Sequence, residues 1–492
     1  MTSPVSNSGV ARGSVERPLR VAVIGSGPAG VYAADILTKS EQVKSGELKV
    51  SIDLFDRYPA PFGLIRYGVA PDHPRIKGII QALHKVMDRG DIRFFGNVNY
   101  GADLSLEELR EHYDAVIFAT GAIDDAALNI PGIDLAGSYG GADFVSWYDG
   151  HPDVSRDWTL DAKEVAVLGN GNVALDVARV LSKHADDLLV TEIPENVYQA
   201  LKASPVTDVH VFGRRGPAQV KFTPLELREL SHSRDVDIVL YPEDFEFDEA
   251  SDEAIKTNNQ VKTMVNTLTN WLVEQPEEST ASRRLHLHFL HNPVEIQGED
   301  GRVTGIKFER TELDGTGNAR GTGEFTEYPV QAVYRAIGYF GSALPGIEFD
   351  AQRGVVANAG GRVLGVDGAH VPGVYATGWI KRGPVGLIGH TKGDALETVT
   401  YLLEDVAELP EAARPAEASI LELLDGKGVE YTTWEGWHAL DAYEKNLGEV
   451  FDAAGLGLEL SRERVKVVPR EEMIRISRQI QEQVQSQTQS RV

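Results

Sequence analysis

Short runs of β-branched and apolar residues alternate along this chain with longer segments whose apolar positions recur at helical spacing. "RVAVIGSGPAGVYAADILTK" reads as a strand, a Gly-rich turn and an apolar helix, "KVSIDLFD" as the next strand and "YDAVIFATGA" as a third. That order predicts a parallel sheet with crossover helices. The order then starts again. "EVAVLGNGNVALDVARVL" repeats strand, turn and helix, "DVHVFGRR" follows as a strand, and "QAVYRAIGY" matches the ending of "YDAVIFATGA". A third such ending, "GVYATGWIKRGPVGLIG", has no Gly-rich start of its own, so the chain is expected to return there to the first unit. The predicted fold class is α/β, with two Rossmann-like dinucleotide-binding domains, the second inserted in a discontinuous first.

The turns carry the chemistry. In the first, Gly25 permits the tight bend, Gly27 lets a pyrophosphate approach the backbone, and Gly30 packs helix on strand, so that the helix N-terminus faces the anion. The following strand ends at Asp56, where a carboxylate can take ribose hydroxyls; "KSEQVKSGEL" lengthens the connection beyond the usual ~20 residues. The second turn, Gly169, Gly171 and Ala174, has the same mechanics. Its next strand ends instead in Gly213, Arg214 and Arg215. A nucleotide bearing a 2'-phosphate needs cationic, multidentate donors at that place, whereas a free 2'-hydroxyl needs an acceptor. FAD is therefore expected in the first unit and NADP(H) in the second, with hydride passing from nicotinamide to flavin. The domains divide as a flexible arm (1–17), an FAD domain (18–124 and 351–478), an inserted NADP domain (125–350) and a flexible Gln-rich tail (479–492).

Composition narrows the acceptor. Lys and Arg number 48 against 74 Asp and Glu, a formal charge of -26, which argues against nonspecific binding to nucleic acid or anionic membrane. No apolar run reaches the roughly 18 residues of a membrane span, and the N-terminus has no apolar core of a signal peptide, so a cytoplasmic protein is expected. The chain has no Cys, which excludes disulfide reductases that use a cysteine pair, and also the cluster-bearing flavoprotein of glutamate synthase type. Electrons must then leave for an external acceptor or for oxygen.

Taken in order, "GSGPAG", "PFGLIRYGVAPDHPRIK", "FFGNV", "GNGNVALDVARVL", "GRRGP", "FTPLELREL" and "GWIKRGPVGLIG" resemble the adrenodoxin-reductase-type NADPH-ferredoxin reductases, from about Leu19 to the region of Arg478. The resemblance implies a ferredoxin partner carrying an iron-sulfur cluster. It implies FAD contacts at Gly25, Gly27, Ala29, Asp56, Leu64, Val98, Trp379, Gly386 and Ile388. NADP contacts are implied at Asn172, Val173, Arg214, Arg215 and Glu226, with Gly386 near the nicotinamide. Asp56 stands where many relatives carry Glu, a shorter reach to the ribose. His73 and Glu229 are placed beside flavin and nicotinamide as groups that handle protons or position the rings; no metal is expected. A diaphorase, a flavin monooxygenase and a nonenzymatic redox sensor remain as alternative readings. An acidic ferredoxin would need a local basic surface, for which three groups present themselves: Arg75, Lys77, Lys85 and Arg89; Lys381 and Arg382; Arg228 and Arg234.

Overall fold

A computed structural model describes residues 12–386 and 388–489. Along the chain, strand β1 (Leu19–Ile24) leads into helix α1 (Pro28–Thr38), followed by β2 (Val50–Phe55), the short α2 (Leu64–Tyr67) and α3 (Pro74–Lys77), α4 (Ile79–Met87), β3 (Ile92–Phe95) and β4 (Ala115–Phe118). The second unit holds β5 (Ser138–Gly140), α5 (Gly141–Tyr148), β6 (Glu164–Leu168), α6 (Asn172–Ser182), β7 (Asp208–Phe212), α7 (Pro224–Leu230), β8 (Val236–Leu240) and β9 (Arg283–His288). The meander β10 (His291–Glu299), β11 (Arg302–Leu313) and β12 (Ala319–Tyr328) then leads to β13 (Ala332–Arg335). The chain returns through β14 (Asn358–Ala359), β15 (Arg362–Leu364), β16 (His370–Ala376), α8 (Trp379–Arg382), α9 (Ile388–Glu404), α10 (Trp434–Glu449) and α11 (Arg470–Gln489).

Among the described residues, seven strands form one sheet in the order β14-β15-β16-β4-β1-β2-β3 and six form another, β5-β13-β6-β7-β9-β8. β1 lies parallel between β2 and β4, and β16 pairs parallel with β4, so the third strand-to-glycine ending does rejoin the first sheet. Both units are the α/β dinucleotide fold, one inserted in the other. β1, β4 and β7 are buried along their whole length and β6 everywhere but at Glu164, as strands covered on both faces must be. The antiparallel β10–β12 meander, which periodicity did not single out, packs Ile306 and Phe308 against Phe212 of the second sheet.

Three segments add local detail to the reading of the sequence. The described end of the arm is anchored: Lys49 N–H donates to Gly13 O (2.6 Å), and the Arg17 guanidinium grips Asp114 at 2.7 and 2.9 Å. The tail continues as helix α11 to Gln489. The segment "PRIKGIIQALHKVMDRG", which carries Arg75, Lys77, Lys85 and Arg89, is divided at Gly78 into α3 and α4.

Candidate active site

At the first glycine turn, two glycines answer to the protein and one does not. Gly25 has φ +110°, and a Cβ there would lie 2.3 Å from Ala119 O; a Cβ on Gly30 would lie 1.9 Å from Gly25 O. Gly27 has ordinary extended angles (φ -67°, ψ 179°), and a Cβ on it would have nothing nearer than Gly63 Cα at 4.0 Å. A side chain there would fill the cradle in front of α1, whose N-terminus has no side-chain cap and no acidic residue in its first turn. Bare N–H groups, the helix dipole and open space suit a pyrophosphate.

Asp56 follows β2 and is buried. Its Oδ2 accepts from Ser26 N–H (2.8 Å) and Ser26 Oγ–H (2.6 Å), and its Oδ1 from Tyr58 N–H (2.9 Å). Burial pushes its pKa up, against the pull of those hydrogen bonds. The carboxylate thus ties down the glycine turn itself, and lone-pair capacity is left on Oδ1 for a ribose hydroxyl. Val98 N–H donates to Asp56 O (2.8 Å), which sets Val98 beside it, and Leu64 opens α2 just after Gly63. From the returning segment, Gly378 sits so close to Ala29 that a Cβ would meet it at 2.6 Å. Trp379, the next residue, therefore opens α8 beside the first turn from the far end of the sequence, and Gly386 is exposed farther along the same segment. Ile388 begins α9; its side chain lies outside the described residues.

Sequence reasoning missed Asp394, which pins this segment: its carboxylate accepts from Gly378 N–H and from Thr377 Oγ1–H and pairs with Lys381 Nζ (3.0 Å). No motif marks it, because the bonds depend on how α9 lies against β16.

The second turn repeats the design. A Cβ on Gly171 would have nothing within 4 Å, and α6 likewise starts without a side-chain cap. Asn172 Oδ1 accepts from Thr223 N–H (2.8 Å), which draws the start of α7 across the turn; Val173 is half-buried there. Glu226, buried on α7, takes the Thr223 hydroxyl proton in a hydrogen bond and so helps cap its own helix. The Arg214–Arg215 loop is held by backbone, with Gly213 N–H on His288 O (2.9 Å) and Thr311 Oγ1–H on Arg214 O (2.7 Å). Among the described residues neither guanidinium is paired with a carboxylate. In a chain of charge -26, two adjacent arginines unpaired among the described residues at the end of β7 offer the cationic, multidentate donors that a phosphate takes.

His73 joins the units. Its Nε2 lies 2.8 Å from Asp176 Oδ1 on α6, in a buried network where Arg179 grips Asp72 with two 2.8 Å bonds and Lys183 adds a third at 2.9 Å. Burial pulls the imidazole pKa down, but Asp176 outweighs it and the value is raised. The phenol of Tyr339 stacks on Trp379 at 6.1 Å, and burial raises its pKa. Glu229 is about one-third exposed, with its carboxylate 3.7 Å from His232; among the described residues no hydrogen bond or ion pair joins it to His73. Of the basic groups, Lys77 is taken by Glu192 (2.6 Å) and Lys381 by Asp394 and Glu397, so neither is a free surface cation. Arg89 pairs with Asp35 and Arg234 with Asp187; Lys85 and Arg228 stay exposed. The side chain of Arg75 lies outside the described residues.

Comparison with known proteins places the fold and the family. Residues 19–209 match the family model "Pyridine nucleotide-disulphide oxidoreductase"; without cysteine, the disulphide half of that description has no counterpart here. The chain is 40% identical over 474 residues to NADPH-ferredoxin reductase FprA of Mycobacterium tuberculosis, covering 94% of this chain and 99% of that one. It is 36% identical to the mitochondrial NADPH:adrenodoxin oxidoreductase of Arabidopsis thaliana, covering 93% and 95%. The structure of M. tuberculosis FprA in complex with NADPH superposes with a TM-score of 0.82 at 38% identity, over 94% of this chain and all of that one. No helix among the described residues is long and apolar enough to cross a membrane.

Proposed function

The chain belongs to the adrenodoxin-reductase-type NADPH-ferredoxin reductases, and on that premise we propose that it is an FAD-dependent NADPH-ferredoxin reductase working in the cytoplasm. When bound, FAD and NADPH supply the redox chemistry: a hydride from the nicotinamide and single electrons onward to an iron-sulfur ferredoxin. The observation that carries the proposal is the polarity of the two crevices. Each has an uncapped helix N-terminus behind a glycine with open space, yet the first closes on Asp56 and the second on two unpaired arginines.

The protein's part is binding, orientation and charge. The first turn and Asp56 hold the adenosine and pyrophosphate of FAD, with Leu64, Val98, Trp379, Gly386 and Ile388 along its path. Asn172 and Val173 receive the NADPH pyrophosphate, Arg214 and Arg215 the 2'-phosphate, and Glu226 keeps α7 in place across the turn. His73, tied to Asp176, positions the two units, and that carboxylate raises its imidazole pKa above the ordinary value. Glu229 is assigned a supporting, solvent-side role on α7.

Stopped-flow reduction of the yellow protein by NADPH, followed by mixing with ferredoxins, tests the reading. Fast bleaching by NADPH, slow bleaching by NADH and reoxidation by a ferredoxin are expected. Equal turnover with dyes and every ferredoxin would mark a diaphorase, substrate-coupled oxygen uptake a monooxygenase, and sluggish reduction with poor turnover a sensor. Fractionation of the source cells tests the location.

A further inference from the structure

Outside the nucleotide crevices, two clusters of metal-ligating side chains stand out, and geometry separates them. His210, His286 and His288 are buried on one face of the second sheet. There the His210 and His286 rings lie parallel, 4.2 Å apart with 12° between planes, so their lone pairs run side by side instead of converging. His286 also has both nitrogens engaged, by Asp208 (2.9 Å) and the Tyr241 hydroxyl (2.8 Å). That trio is a satisfied core.

The other cluster is accessible. His84 and Asp88 are one turn apart at the C-terminal end of α4, and His438 comes from α10; one ligand atom from each lies within 4.8 Å of the others. The two imidazoles are 5.8 Å apart with 61° between their planes, not stacked as in the buried trio, and the separation is near the about 5 Å expected for two rings on one zinc ion with bonds of about 2.0–2.1 Å. The neighbours prepare the ligands. Trp437 Nε1–H can only donate, and it points at His84 Nε2 from 3.2 Å, so that nitrogen carries a lone pair rather than a proton. A metal ion needs the same lone pair and would replace a hydrogen bond at the long end of the range. Trp434 Nε1–H donates to Asp88 Oδ1 (3.0 Å), orienting the carboxylate, and His438 Nε2–H donates to the same oxygen at 3.1 Å, a proton that a metal ion on that nitrogen would displace; Oδ2 is left free of hydrogen bonds among the described residues.

We propose that His84, Asp88 and His438 form a site for a divalent transition-metal ion of the zinc class, with solvent completing the coordination. The ion would clamp α4 to α10. Between these helices lies Phe62, its ring 5.1 Å from His84 and 5.7 Å from Trp437, and the next residue, Gly63, faces Gly27 across the first crevice. Zinc bound there would stiffen the loop opposite the pyrophosphate cradle and slow loss of the flavin.

The test uses full-length, FAD-loaded protein freed of metal with a chelator and titrated with zinc chloride by calorimetry. One zinc per chain is expected, with affinity at least about tenfold weaker in both His438→Ala and Asp88→Asn, and unchanged in His210→Gln. Zinc should also raise the melting temperature and lengthen flavin retention in the wild type and do neither in His438→Ala. Wild-type protein that takes up zinc no better than His438→Ala and Asp88→Asn, or binding lost only in His210→Gln, would overturn the proposal.

Discussion

Arg214 and Arg215 differ from most arginines of this chain in having no carboxylate partner; Arg17, Arg66, Arg93, Arg179 and Arg362 are all engaged by Asp or Glu. Charge left unpaired on a loop that backbone bonds hold in place is available for a dianion, and each charge-assisted hydrogen bond to it contributes about 1.5–3 kcal/mol. Replacing both arginines with neutral residues should therefore lower kcat/KM for NADPH by at least about tenfold and leave NADH nearly unchanged; an unaltered NADPH/NADH ratio would contradict the assignment. His73 offers a second measurement at this scale. Burial alone would lower its pKa, and Asp176 raises it above 6.5. A raised folded-state value means that the contact adds stability fully present below about pH 6.5 and lost as pH climbs through the raised value. In Asp176→Asn the His73 imidazole should titrate at lower pH by NMR, and any alkaline limb it sets in NADPH-dependent flavin reduction should move the same way. A His73 titration unmoved by the change would leave the network without this role.

At the scale of elements, the two strand-turn-helix units are alike in construction and differ in what they hold. Gly27 and Gly171 both have backbone angles that a β-branched residue can adopt, and neither has a neighbouring atom inside ordinary contact distance. Valine at either place should leave the fold intact and obstruct only the ligand. Gly27→Val is expected to purify colourless, with normal circular dichroism. Gly171→Val should stay yellow and resist reduction by NADPH while dithionite still bleaches it. Flavin lost from Gly171→Val and kept by Gly27→Val would reverse the order of the cofactors. The contrast with Gly30, where a Cβ would collide with Gly25 O at 1.9 Å, shows that adjacent glycines of one motif serve different masters, packing and ligand.

On the scale of the whole molecule, the two units are joined by a buried ionic cluster as well as by the His73 network. Lys466 has no exposed side-chain surface; its Nζ reaches Glu192 at 2.7 Å and donates to Asp149 O at 3.0 Å, while Lys77 reaches the same Glu192 at 2.6 Å. Burial pushes Lys466 down to about 8 and Asp149 up to about 6, whereas the two lysines overcome burial to keep Glu192 ionised well below the usual carboxylate range. Nearby, Arg66 and Glu444 are joined at 3.0 and 2.5 Å. Removing one member strands charge where water does not reach, a loss of about 3–5 kcal/mol, while removing opposite members together costs much less. Lys466→Met should thus lower stability in urea by roughly that amount, and the double variant Lys466→Met/Glu192→Gln should recover most of it. Equal losses in single and double variants would show that packing, not charge, is what Lys466 provides.

The features legible in the sequence were those whose physics is local. A strand, a glycine turn and a helix N-terminus span about a dozen residues, so "VIGSGPAG" and "VLGNGNVA" announce their phosphate cradles, and the residue types after the following strands, Asp56 or Arg214 and Arg215, announce the polarity of each ligand. Apolar runs ending in glycine likewise located the strand by which the chain rejoins its first sheet. What lay beyond the sequence were pairings whose partners are far apart along it. His73 meets Asp176 across 103 positions, Arg66 meets Glu444 across 378, and His84 lies beside His438 only because α4 packs against α10. A charged side chain looks alike in sequence whether it is solvated or buried. Lys77 and Lys381 read as surface bases until the fold enclosed them with carboxylates. Which charges stay free is settled by desolvation and by the neighbours that long-range packing brings, and those belong to the tertiary structure alone.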